Sequence, residues 1–142
     1  MNVISFEKLY NTEFFVSEVL AKPQFWAQRG NVYNAIGKPK VSHTLLWFKN
    51  CSATITDSMG NVLEFSQNQL AYMAYIVHFH GTDHSREDTM VIHFQMTDRQ
   101  WQDIAAADRP VVCLQEVDSA TALAITQMAE EYSNNMVCIP AL

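Results

Sequence analysis

The sequence predicts a mainly β fold, an antiparallel sandwich or barrel, with a helix near the C-terminus. Four or five strand-like segments follow one another between residues 44 and 96, separated by short turns, and this is the pattern of a β-meander. Apolar residues recur at helical spacing after residue 121. The 8 Phe, 5 Tyr and 3 Trp also favour strands.

The first 43 residues predict weaker elements. Residues 14–20 form a short apolar run that favours a strand over a helical turn. Pro23, Gly30, Gly37 and Pro39 then mark a loop-rich stretch. We therefore expect this part to form an arm that precedes the regular strands.

The central strands are predicted at residues 44–49, 53–56, 61–65, 70–80 and 89–96. Gly60 supplies the positive φ that a tight hairpin turn needs. Gln67 and Asn68 form the next turn. The stretch from residue 70 exceeds the usual strand length, so we expect a break near Ala74 and Tyr75. Residues 81–88 are polar and predict a loop.

The last part of the chain predicts a short strand at residues 111–117 and then a helix. Asp118 or Ser119 is suited to the N-cap, and Ser133-Asn134-Asn135 is expected to end the helix. One face carries Ala122, Ile125, Ala129 and Tyr132. That face packs either on the chain's own strands or on a second copy of the chain.

Composition limits the functional class. The chain has 9 basic and 15 acidic residues, a net charge of −6, and no cluster of Lys or Arg, so it is not expected to bind nucleic acid by itself. Cys51, Cys113 and Cys138 are odd in number and lack CxxC spacing, which indicates reduced thiols in the cytoplasm. Charged residues interrupt the first twenty, so neither a signal peptide nor a membrane span is expected.

Five motifs occur along the chain in an order that resembles a known protein family. They are Leu45-Leu46-Trp47-Phe48, Ala53-Thr54-Ile55-Thr56, Gly60-Asn61-Val62-Leu63, Leu70-Ala71-Tyr72-Met73 and Val91-Ile92-His93-Phe94. With them, residues 43–97 resemble the sensor half of AraC-type transcription regulators. Three turns depart from the family pattern, at Cys51-Ser52, Gln67-Asn68-Gln69 and Ala74-Tyr75-Ile76.

The resemblance implies a cupin-like barrel, a double-stranded β-helix or jelly roll, followed by one or more dimerising helices. Residues 1–117 would form the N-terminal arm and barrel, and residues 118–142 the helical segment, cut before a helix-turn-helix domain. The barrel would bind a small-molecule effector, such as a sugar or another small metabolite. The protein would then be a cytoplasmic homodimer without enzymatic activity, and it would meet DNA only through the missing domain.

The predicted ligand-binding residues are aromatic or basic, because aromatic faces suit a sugar ring and basic groups suit its hydroxyls or a carboxylate. They are Trp26, Arg29, Trp47, Tyr72, His78, His80 and His93. Plain core packing is the alternative for Trp47 and Tyr72. Strand alternation fixes which residues share a face but not which face is inside.

A metal site is the alternative interpretation of the histidines. His78 and His80 point to the same side of a strand, and His84, Glu87 or His93 would complete a set for zinc or iron. The chain would then be a stand-alone metal-dependent cupin enzyme. We favour histidines that line the barrel mouth or bond within a loop, with no metal or cofactor. A third hypothesis is a structural interaction domain with a filled barrel.

Overall fold

The computed structural model describes residues 2–9, 11–24, 32–34, 42–57, 59–74, 79–83, 89–106 and 111–138. The strands are β1 (Asn2–Ile4), β2 (Phe15–Gln24), β3 (Val32–Asn34), β4 (His43–Phe48), β5 (Ala53–Asp57), β6 (Val62–Phe65), β7 (Gln69–Met73), β8 (Phe79–Asp83), β9 (Thr89–Thr97), β10 (Ile104–Ala106) and β11 (Val111–Glu116). The helices are α1 (Phe6–Leu9) and α2 (Ser119–Cys138). The predicted mainly β fold with a C-terminal helix is confirmed.

The strands form two larger sheets and one short pair. A five-stranded sheet has the order β11-β7-β4-β9-β2, and a four-stranded sheet has the order β3-β8-β5-β6. Both are antiparallel, whereas β1 and β10 pair in parallel. Among the described residues the two sheets do not close into one barrel.

The chain crosses between the sheets, so the predicted meander is wrong. Among the described strands between residues 43 and 97, only β5 and β6 are neighbours both in sequence and in a sheet. The predicted strand at residues 70–80 breaks after Met73, as expected, and β8 continues in the other sheet. β8 extends to Asp83, so residues 81–83 of the predicted loop belong to a strand, and residues 84–88 lie outside the described residues. Strand runs with short turns do not reveal such crossings, because partner choice depends on distant residues.

The inner face of the five-stranded sheet packs against the four-stranded sheet. Leu46, Val91 and Ala71 lie in register on this face. The inner cluster, as we name it, consists of Phe48, Cys51, Ala53, Ile55, Phe65, Ala71, Met73 and Val111. The rings of Phe48 and Phe65 lie 5.2 Å apart between centroids, a distance typical of stabilising aromatic pairs. The inner cluster holds the two sheets together.

The outer face carries the alternate residues of the same strands. Leu45, Ile92 and Tyr72 lie in register there. At one end of this face, Ile125 and Ala129 of α2 are buried in a cluster that includes Trp47, Leu70, Met90 and Ile92. The apolar helix face therefore packs on the chain's own sheet.

Asn68 connects this helix to the sheet. Its φ is 70°, which Asn tolerates better than most residues. Its side-chain oxygen accepts from Trp47 Nε1 at 3.0 Å, and its side-chain nitrogen donates to the Val117 carbonyl at 2.9 Å. The predicted turn at Gln67-Asn68 is confirmed, and it also holds Val117, which lies two residues before the helix.

The helix ends also test the sequence prediction. Asp118 caps the start, since its carboxylate accepts from the Thr121 amide at 2.8 Å. The predicted stop at Ser133-Asn134-Asn135 is wrong, because α2 continues to Cys138. Ser and Asn cost a helix only a few tenths of a kcal/mol each, roughly, and no Gly or Pro interrupts these positions. Among the described residues, none of the helices has the length and apolar character required to cross a bilayer.

Candidate ligand-binding site

An open cavity of about 510 Å³ lies on the outer face of the five-stranded sheet, beside α1. It is lined by Phe6, Leu9, Phe14, Val16, Tyr72, Phe94, Met96 and Leu114. Its volume falls in the range that small-molecule sites occupy in proteins. We call it the outer cavity.

Strand register and a short helix build this site. Val16 pairs with Met96 in the β2–β9 ladder, so both side chains belong to the outer face. The β1–β10 pair holds the N-terminal segment beside the sheet. Phe6 of α1 is buried, and its ring lies 5.6 Å from that of Tyr72 between centroids. The N-terminal segment therefore forms one wall and the sheet forms the floor.

The lining is almost entirely hydrocarbon. Of the eight described side chains that line it, seven contain no nitrogen or oxygen, and the exception is Tyr72. Phe14, Val16 and Leu114 are 37%, 51% and 36% exposed. Contiguous exposed apolar surface of this kind marks binding sites more often than ordinary protein surface.

Tyr72 is held by a buried histidine. His43 is fully buried; its Nδ1 lies 2.8 Å from the Tyr72 hydroxyl, and its Nε2 lies 2.7 Å from the Ile104 carbonyl oxygen. The imidazole also stacks on Phe94, with centroids 5.4 Å apart. Burial lowers the pKa of His43, against the raising effects of the Ile104 bond and the Asp103 charge. Burial raises the pKa of Tyr72. Both groups are therefore neutral near pH 7.

The structure divides the predicted ligand-binding residues between two faces. Tyr72 lines the outer cavity. Trp47 lies on the same face, but it is only 4% exposed and packs beneath α2. His93 belongs to the opposite face, because it pairs in register with Thr44, and its Nδ1 lies 3.1 Å from the Thr44 hydroxyl. His93 and Tyr72 therefore do not meet in one pocket.

Most of the other residues predicted to bind a ligand or a metal fall outside the described part of the chain. Trp26, Arg29, His78, His84 and Glu87 fall outside the described residues. The backbone of His80 is described within β8, where it pairs with Thr56 and Asn34. Among the described residues, no three His, Cys, Asp or Glu side chains are grouped as metal ligands.

The predicted dimerisation residues on α2 contact the chain itself. Ile125 and Ala129 are 3% and 7% exposed, and Ala122 is half-buried against the same cluster. The side chain of Tyr132 is outside the described part. The opposite side of the helix exposes Leu123.

Sequence reasoning missed His43 and the N-terminal wall of the cavity. His43 is the first residue of β4. A single polar residue at the start of a strand cannot be distinguished from a loop residue by sequence pattern. Phe6 and Leu9 are three residues apart, a helical spacing, and this was the available signal for α1. One helical turn is too short for that signal to stand out.

No protein-family model matches this chain, and no curated protein matches it. Among solved structures it is similar to ToxT from Vibrio cholerae, which is an AraC-family regulator. One ToxT structure, bound to (E)-4-(8-methylnaphthalen-1-yl)but-3-enoic acid, has a TM-score of 0.54 at 11% identity and covers 84% of this chain and 48% of ToxT. An apo ToxT variant has a TM-score of 0.53 at 13% identity and covers 91% and 53%.

The chain thus spans about half the length of the ToxT chains that it matches. At these identities the likeness establishes the fold. The chain has the mainly β fold of the effector-binding N-terminal domain of ToxT, a regulator of the family that residues 43–97 resemble.

Proposed function

We propose that this chain is the effector-binding domain of an AraC-type transcription regulator, and that the outer cavity binds a small apolar effector. The lining carries the proposal, because seven hydrocarbon or thioether side chains and one tyrosine surround a ligand-sized volume. The shared fold and the resemblance of residues 43–97 support the regulator role. The domain acts without catalysing a reaction, since ToxT is a regulatory protein and not an enzyme.

The lining favours an apolar effector over the sugar considered from the sequence. Sugar hydroxyls need several hydrogen-bond partners when they leave water, and among the described residues the lining side chains supply only the Tyr72 oxygen. The compound bound to ToxT is a methylnaphthalene with a short acid chain. A bicyclic hydrocarbon of that kind matches the chemistry of the outer cavity.

The effector acts by changing how a DNA-binding domain elsewhere in the cytoplasmic regulator is presented. A ligand produces such a change only if it prefers one of two arrangements. The outer cavity is formed partly by the N-terminal segment, so occupancy favours arrangements in which Phe6 and Leu9 stay against the sheet. In a homodimer, the exposed side of α2 around Leu123 is the available helix surface, because Ile125 and Ala129 are buried.

A thermal-shift panel tests the binding role. We expect a naphthalene-based alcohol to raise the melting temperature with concentration, by about 5–10 °C at 100 times its Kd, whereas glucose has no effect. Leu114→Gln places an amide on the cavity wall and should reduce the shift. Leu123→Gln makes the same change on exposed helix surface and should preserve it.

The regulator role is tested in the full-length protein with a transcription reporter. An effector found in the thermal-shift panel should change reporter output, and Leu114→Gln should blunt that change. Output that ignores every ligand of the outer cavity would contradict the regulator role.

A further inference from the structure

We infer that His43 makes the outer cavity select its ligand by charge, so that an uncharged apolar molecule binds more tightly than a carboxylate. This inference rests on the proposed function, since it concerns the same cavity. The observation that supports the inference is the direction of the hydrogen bond between His43 and Tyr72.

The partner of His43 Nε2 shows which nitrogen of the imidazole bears the hydrogen. His43 Nε2 lies 2.7 Å from the Ile104 carbonyl oxygen, and a carbonyl only accepts, so Nε2 bears a hydrogen. The ring is fully buried and neutral, so Nδ1 carries a lone pair. The Tyr72 hydroxyl, 2.8 Å away, therefore donates to Nδ1.

A ligand can use only the hydrogen-bonding groups that are left once Tyr72 donates to His43. Tyr72 has one hydroxyl hydrogen, and His43 accepts it. The other lining side chains are hydrocarbons and one thioether. Among the described residues, the lining side chains therefore offer no hydrogen-bond donor, and the Tyr72 oxygen offers at most an acceptor site.

The lack of a donor affects a carboxylate and an alcohol differently. A carboxylate held beside Tyr72, which is 4% exposed at the floor of the cavity, loses much of its hydration and meets no side-chain donor among the described residues, and burying an unpaired charge is strongly unfavourable. An alcohol retains a partner in the Tyr72 oxygen. If Tyr72 turns its hydrogen to a carboxylate, the buried Nδ1 of His43 loses the hydrogen bond from Tyr72, unless His43 takes one proton from solvent and donates from Nδ1 to the Tyr72 oxygen. Binding the anion in this way takes up one proton per ligand.

Two matched probes test this inference, 4-(naphthalen-1-yl)butan-1-ol and 4-(naphthalen-1-yl)butanoic acid. Isothermal titration at pH 7.5 in buffers of different ionisation enthalpy gives both Kd and proton uptake. We expect the alcohol to bind at least about tenfold more tightly. The acid should bind with uptake of about one proton.

Two variants separate this role from simple support of the fold. His43→Phe keeps a ring beside Phe94 but frees the Tyr72 hydrogen, so the affinity for the acid relative to the alcohol should rise about fivefold. Tyr72→Phe removes the hydroxyl, and the acid should gain nothing. A purely structural role would weaken both probes equally.

The outcomes that overturn the inference are distinct. If the acid binds wild-type protein as tightly as the alcohol without proton uptake, the inference is wrong and the proposed function stands. If His43→Phe leaves the affinity ratio of acid to alcohol unchanged, the inference is also wrong. If neither probe binds, the proposed function fails together with it.

Discussion

The inner and outer faces of the five-stranded sheet use the same strands, but they are covered differently. A second sheet covers the inner face, where the inner cluster includes Phe48, Phe65 and Met73. Two helices of very different length share the outer face. The 20-residue helix α2 packs tightly over one end, whereas the 4-residue helix α1 leaves room beside Tyr72. The difference indicates that the extent of cover by a helix, more than the strand sequence, decides where a cavity lies on this face.

The largest expected effect separates the two faces by stability. Phe65→Ala removes a ring that is 2% exposed, and we expect it to lower the free energy of unfolding by about 3–5 kcal/mol. Phe14→Ala, on the wall of the outer cavity and 37% exposed, should cost about 1 kcal/mol or less. Urea unfolding measures both. Equal losses would contradict the distinction between a packed core and an open wall.

A second prediction compares the two sides of α2. Ile125→Ala removes a buried contact with the sheet, so the free energy of unfolding should fall by about 2–4 kcal/mol. Leu123→Ala, on the exposed side, should change it by no more than about 0.5 kcal/mol. If Ile125→Ala leaves stability unchanged but dissociates a dimer in light scattering, that face belongs to the interface between copies.

The smallest effect concerns pH. The pKa of His43 is lowered by burial from its ordinary value of 6.5, so below that pH the unfolded chain binds more protons than the folded chain. Stability due to this group is therefore present above pH 6.5 and is lost as the pH falls toward the lower folded pKa.

Denaturant titrations from pH 8 to pH 5 test this prediction. His43→Phe should show a weaker loss of stability on acidification than wild type, although four other histidines remain. A variant that loses as much stability as wild type over this range would show that His43 is not the group responsible.

Local features of the fold were predictable from the sequence, whereas the sheet assignment was not. Gly60 has the predicted positive φ of 86°, and Asp118 caps the helix as predicted. These features depend on residues close in sequence. The chain passes from one sheet to the other between β4 and β5. This change of sheet depends on contacts between segments distant in sequence, so the short turn between the two strands does not predict it.

The candidate site was predicted only in part, for a related reason. The sequence grouped Tyr72 and His93 in one candidate pocket, whereas the structure places them on different faces of the sheet, because Tyr72 pairs with Leu45 and His93 pairs with Thr44. The register itself is not readable from one sequence. Because the interior of a barrel was expected to hold the ligand, the N-terminal residues Phe6 and Leu9 were not considered as a cavity wall.

The most direct test of the account is whether a ligand occupies the outer cavity. Val16 and Val62 are exposed strand valines, 51% and 60% exposed, and only Val16 is among the residues that line the cavity. Titration calorimetry with 4-(naphthalen-1-yl)butan-1-ol should show binding to wild type and to Val62→Trp with similar Kd. Val16→Trp fills the cavity and should weaken binding at least about tenfold. Unchanged binding to Val16→Trp, together with its loss in His93→Ala on the inner face, would contradict the account.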